Sequence, residues 1–96
     1  MQLERCKKIL QEHKNDLVNQ GVLGLSVFGS TVRNEGTSKS DVDILVDFDP
    51  KKGLFVFIGL KDYLENILQC DVDLVTKNAL HPALKDRILQ EAKHVF

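Results

Sequence analysis

Two tripeptides carry most of the chemistry open to this chain, Asp41-Val42-Asp43 and Asp71-Val72-Asp73. Each opens a short apolar run, Ile44-Leu45-Val46 after the first and Leu74-Val75 after the second, with the composition of a β-strand. Asp is disfavoured in strands, so two such placements in one small sheet need a reason. Alternate strand residues share a face, which projects Asp41 and Asp43 together, about 6.6 Å apart along the strand. Like charges at that range oppose each other's ionisation unless a cation intervenes. Donors that are all oxygen favour a hard ion, Mg²⁺ or Mn²⁺, held by one or two carboxylates plus phosphate oxygens. A third carboxylate on the neighbouring strand, Asp73, completes a site for two ions roughly 3.5–4 Å apart that clamp the attacking and leaving oxygens. Asp47 and Asp49 share the parity of Asp43 but lie roughly 13 and 20 Å further on, out of reach.

A lone Asp-x-Asp is equally a solvated strand start, and what precedes it decides. Gly29-Ser30 follows directly on the apolar run Val22 to Phe28. Backbone N–H groups at a helix start form an anion site. Gly admits a phosphate close to the main chain, and the Ser hydroxyl adds a donor. Arg33, one turn on, brings a guanidinium to the same phosphates, the alternatives being a solvated Arg33 and a Ser30 that serves only as an N-cap. Ten residues separate Ser30 from Asp41. A phosphate cradle and a metal pair then sit on adjacent elements, as a metal-bound triphosphate requires.

These side chains are positioned by alternating elements. Leu3, Cys6, Leu10, His13 and Leu17 recur at helical spacing, predicting a helix over residues 2–19 that stops near Gly21. His13 reads as a structural residue, since no second His or Cys stands at metal spacing. Strands are expected over 22–28, 41–48 and 72–76, a helical turn over 29–33 and a loop over 34–40. A helix over 54–69 turns Phe57, Leu60, Leu64, Ile67 and Leu68 inward, and a last helix starts near His81-Pro82. The expected fold is α/β, a small mixed sheet backed by helices, in a single domain spanning 1–96.

The bulk composition excludes other classes. A net charge of −1 and no Trp do not make the electrostatic footprint of a chain that grips nucleic acid over many phosphates. Cys6 and Cys70 are far apart and form no CxxC, so reduced thiols are expected. The longest apolar run, Leu54 to Leu60, is well short of the roughly 20 residues needed to span a bilayer, and a cytoplasmic location is expected.

Phe28-Gly29-Ser30-Thr31-Val32-Arg33, followed by Ser40-Asp41-Val42-Asp43-Ile44-Leu45-Val46, resembles the signature of the DNA polymerase beta superfamily of nucleotidyltransferases, and most of all its minimal members. The similarity continues through Gly53-Leu54-Phe55, Val72-Asp73-Leu74-Val75-Thr76 and Arg87-Ile88-Leu89-Gln90-Glu91-Ala92, so it covers nearly the whole chain. Asn34 departs from the pattern, standing where many members have Gly. The resemblance implies a palm-type fold, with Gly29 and Ser30 on the triphosphate, Asp41 and Asp43 on Mg²⁺, and Asp73 as the third acid that positions or activates the attacking hydroxyl. Asp71 has no implied role.

Many proteins of the resembled family pair with a HEPN-domain RNase and act as antitoxins that transfer AMP from ATP to a toxin tyrosine. The resemblance implies that function here. Alternatives are a non-catalytic antitoxin acting by contact, and a nucleotidyltransferase with a small-molecule or nucleic-acid acceptor. Phe55, Val56, Phe57 and Ile58 cannot all face one core from a helix, which leaves some for a partner, a homodimer or a tight local packing. Tyr63 reads as a helix-surface tyrosine rather than a modification acceptor.

Overall fold

The buried positions of the central strands sort onto two faces. In β2 (Val42–Phe48) Val42, Ile44 and Val46 share one face and are fully buried. β1 (Val22–Phe28) pairs antiparallel with β2, setting Leu25 against Val46 and Val27 against Ile44, so the same face continues across. Val22 joins it although it is three residues from Leu25, because a register shift between Val22 and Gly24 inserts one residue and reverses the parity. Period-two reading alone would have turned Val22 outward.

The computed structural model describes residues 2–32 and 41–96. Helices α1 (Leu3–Glu12), α2 (Lys14–Asn19) and α3 (Gly53–Leu68) supply the partners of that apolar face. Cys6, Leu10 and Leu17 come from the first two, and Leu60, Leu64 and Leu68, at four-residue spacing, from the third. β2, α3 and β3 (Val72–Thr76) form a βαβ unit, with β2 and β3 parallel. With a short last strand, β4 (Lys93–His94), the sheet order is β3-β2-β1-β4, parallel at one junction and antiparallel at the others. The mixed sheet backed by helices is the expected architecture.

Two differences from expectation have physical causes. The helix expected over 2–19 is interrupted at His13, whose backbone leaves helical geometry (φ −103°, ψ 15°). Its Nδ1 lies 2.8 Å from the Ile9 carbonyl oxygen, its ring meets Tyr63 edge-on, and the Tyr63 hydroxyl donates to Asp16 Oδ2 at 3.1 Å. His13 is thus the structural residue expected. The second difference is β4 (Lys93–His94), which pairs with Ser26 and Val27 of β1. Two charged or polar residues carry no strand signature. Backbone bonds from Val95 N to Leu25 O (2.9 Å) and from Leu25 N to Phe96 O (3.1 Å) extend the tie, and Val95 is buried.

The last helix, α4 (Pro82–Glu91), begins where expected, with the His81 side chain accepting from Ala83 N at 3.1 Å. None of its residues is buried. Among the described residues no helix is long and apolar enough to cross a membrane.

Candidate active site

The second face of the sheet carries the acids. Phe28 and Leu45 are buried yet lie outside the main core, on the face that Asp43 shares by strand parity. Asp43 is paired with Phe28 on one side and with Asp73 on the other. Because β2 and β3 run parallel in that register, Asp43 and Asp73 project from the same face of adjacent strands, roughly 4.8 Å apart across the ladder. Asp43 is half-buried on the central strand, whereas Asp73 is exposed on the edge strand.

The heads of these strands are tied down. Val42 N donates to Asp71 O at 3.0 Å, and Val72 N donates to Glu65 Oε2 at 3.0 Å. Glu65, on α3, therefore fixes the start of the strand that delivers Asp73. Nothing in its sequence context distinguishes it from any helix-surface carboxylate. Asp41 lies exposed just before β2, which begins at Val42, one residue later than expected.

Gly29 is required twice over. Its φ is +74°, a conformation that residues with a Cβ rarely adopt. A Cβ built there would collide with Asp43 Oδ2 and stand 2.9 Å from Asp43 Cγ. The Asp43 carboxylate thus rests against the Gly29 main chain, which brings the expected phosphate element and one of the expected metal ligands into contact. Ser30 lies in the turn that Gly29 opens, a three-residue 3-10 turn (Gly29–Thr31) rather than a helix. Such a turn offers an anion its local N–H groups, not a macrodipole. Arg33, Asn34 and the loop expected over 34–40 lie outside the described residues, Arg33 and residues 34–40 being undescribed throughout.

Among the described residues no three Asp, Glu, His or Cys side chains are gathered closely enough to hold a metal ion. The backbone brings Asp43 and Asp73 into register; Asp41 stands two residues before Asp43, its side chain in solvent. The donor set, carboxylates only, fits a hard divalent cation.

A cleft of about 260 Å³ separates this face from α4. Phe28, Gly29 and Asp43 line it from the sheet; Leu84, Arg87, Ile88 and Glu91 line it from the helix. The helix positions follow i, i+3, i+4, i+7 spacing, so they form one face of α4. His81-Pro82 predicts this helix, but its spacing is that of an ordinary amphipathic stripe and carries no signal that it faces Asp43.

The nucleotidyltransferase domain family matches residues 3–95. This chain is a member of that family. Protein adenylyltransferase MntA of Thermococcus cleftensis is 45% identical over 94 residues, covering 97% of this chain and 95% of the relative. A solved structure described as a candidate minimal nucleotidyltransferase superposes with a TM-score of 0.83 at 33% identity, over 97% of this chain and 95% of that one. A toxin–antitoxin structure with AMP-PNP shares the fold at 21% identity, with a TM-score of 0.71 over 90% of this chain and 72% of that one. The nucleotidyltransferase fold accounts for the mixed sheet and for the acids at the heads of its parallel strands.

A second, apolar hollow of about 250 Å³ lies at the other end of the same strands, lined by Phe48, Pro50, Gly53, Leu54, Phe57 and Thr76. Phe48 is roughly 16 Å along β2 from Asp43. Leu54, Phe55 and Ile58 beside it are 69%, 89% and 51% exposed. The Phe55 to Ile58 stretch thus splits as expected, with Phe57 against the core and Phe55 outward.

Proposed function

We propose that this nucleotidyltransferase is a Mg²⁺-dependent protein adenylyltransferase, moving AMP from ATP to a tyrosine hydroxyl of a HEPN-type toxin and acting as its antitoxin. The observation that carries it is the registered pair Asp43 and Asp73, with the Asp43 carboxylate packed on Gly29. The adenylyl donor and protein acceptor follow from the name of the Thermococcus relative, which this chain matches over nearly all of its length.

In this account Asp41 and Asp43 would hold Mg²⁺ on the triphosphate, and Asp73 would complete the set for a second ion. When bound, such ions neutralise charge on the transferring phosphoryl group and on the departing pyrophosphate. The N–H groups of the Gly29–Ser30 turn orient the phosphates, with Arg33 as a further clamp. The acceptor oxygen attacks the α-phosphorus in line; its bond to phosphorus forms as the bond to the pyrophosphate oxygen breaks. Asp73 sits on the exposed edge strand, where a hydroxyl on another molecule can reach it. Its carboxylate orients that hydroxyl and takes up the proton.

The test incubates the full chain with α-labelled ATP, Mg²⁺ and a candidate HEPN partner. Label on the partner with wild type, lost with Asp41→Ala or Asp43→Ala, is the expected result. Neutralisation of the partner that survives both substitutions, with no label transferred, refutes it in favour of a contact antitoxin.

A further inference from the structure

We propose that Arg87, on α4, grips the β- and γ-phosphates of the nucleotide; this rests on the nucleotidyltransferase reading of the cleft and extends it to a residue with no assigned role. The cleft between α4 and the head of β2 has Asp43 and Gly29 on one wall and Arg87 on the other. A phosphate chain whose α-phosphoryl group lies at Asp43 leads away from that carboxylate, and Arg87 is the cation lining the described cleft.

Three features suit it to the task. Arg87 forms no hydrogen bond or ion pair with the described residues, so its guanidinium is available to a ligand. Its planar fork matches two phosphate oxygens at once, as an ammonium does not. Phe28, Leu84 and Ile88 supply apolar walls beside it, and a less watery surrounding strengthens a charge-assisted bond.

The helix is also fixed in place. Ala92 N donates to Ile88 O at the end of α4, and β4 follows at once, paired with β1. The strand that bears Phe28 and leads into Gly29 is therefore the one that anchors the helix bearing Arg87. Both walls of the cleft share a frame.

The experiment measures binding of a non-hydrolysable ATP analogue with Mg²⁺, and of AMP, by ligand-observed NMR. It compares wild type, Arg87→Ala, Arg87→Lys and Lys85→Ala, the last being off the cleft face of the same helix. Arg87→Ala should weaken the triphosphate about 10- to 100-fold, the usual range for a lost bond to a charged group. AMP binding should stay within about 2-fold, since the grip is on the outer phosphates. Arg87→Lys should recover part of the loss, and Lys85→Ala should match wild type. All four should share the wild-type melting temperature, because position 87 is exposed. Unchanged triphosphate affinity in Arg87→Ala, or equal losses for triphosphate and AMP, overturns the proposal. A wild type that binds neither nucleotide overturns the underlying reading and the proposal with it.

Discussion

The tripeptide Asp-Val-Asp occurs twice at the head of parallel strands, and the two copies differ in what surrounds them. The first is on β2, flanked by β1 and β3, and its second acid rests against Gly29. The second is on β3, at the sheet edge, with Asp73 open to solvent. The valines, Val42 and Val72, are buried in the same core and do the same work. On the proposed reading, identical sequence thus yields a donor-side acid held against Gly29 and an acceptor-side acid open to another molecule. Position in the sheet divides the roles.

Substitutions can break that division, and the largest effect belongs to the central strand. Asp43→Asn should lower label transfer roughly 10³-fold, the loss of several kcal/mol of charge stabilisation at the reacting phosphate. Asp73→Asn should cost roughly 10²-fold or more in transfer, as for a lost general base, while leaving affinity for a non-hydrolysable triphosphate near wild type. Equal losses of affinity in both variants would erase the distinction between donor and acceptor sides.

Gly29→Ala tests the cradle. The added methyl displaces the Asp43 carboxylate, and a shift of about 1 Å is enough for a loss on the order of 10²-fold. The left-handed backbone adds about 1–2 kcal/mol of destabilisation, read as a lower melting temperature. Asp71→Asn should stay within about 3-fold of wild type in transfer, because the contact that position makes in the ladder is through its backbone carbonyl. A large loss there would mean that the second copy of the tripeptide uses both of its acids.

The smallest effect lies on the opposite, apolar face. Burial, with a further push from Cys70, raises the Cys6 thiol from 9.0 to about 11. The fold therefore favours the neutral thiol, and that stabilisation is complete below pH 9 and lost as pH rises from 9 towards 11. Urea melts should show wild type losing stability across that window more steeply than Cys6→Ala, by roughly 1 kcal/mol per pH unit. Parallel slopes would show that the thiol ionises as freely as in the unfolded chain.

Much of this arrangement was legible in the residues. Strands β1, β2 and β3 follow from apolar runs that Gly29, Asp49-Pro50 and Asp71 punctuate, and α3 follows from Leu60, Leu64 and Leu68. Strand parity placed Asp43, and distance along the strand set Asp47 and Asp49 aside. Other features depend on contacts that spacing cannot reveal. The break at His13 goes with a ring bound to a carbonyl one turn back and set edge-on to Tyr63. The bulge near Gly24 shows only as a parity shift between paired strands. The hold of Glu65 on Val72 and the placement of α4 across from Asp43 join segments with no common local pattern. Arg87 became visible only when the fold brought residues 29, 43 and 87 to one cleft.

The central claim is that Asp43, packed on Gly29 and in register with the acceptor-side Asp73, holds the metal-bound nucleotide. Crystals grown with Mn²⁺ and a non-hydrolysable ATP analogue test it directly through the anomalous signal of the metal. The account predicts Mn²⁺ within about 2.2 Å of an Asp43 carboxylate oxygen, with the triphosphate between the Gly29 turn and Arg87. Metal bound away from Asp41, Asp43 and Asp73, or the nucleotide seated in the apolar hollow between Phe48 and Thr76, would contradict it.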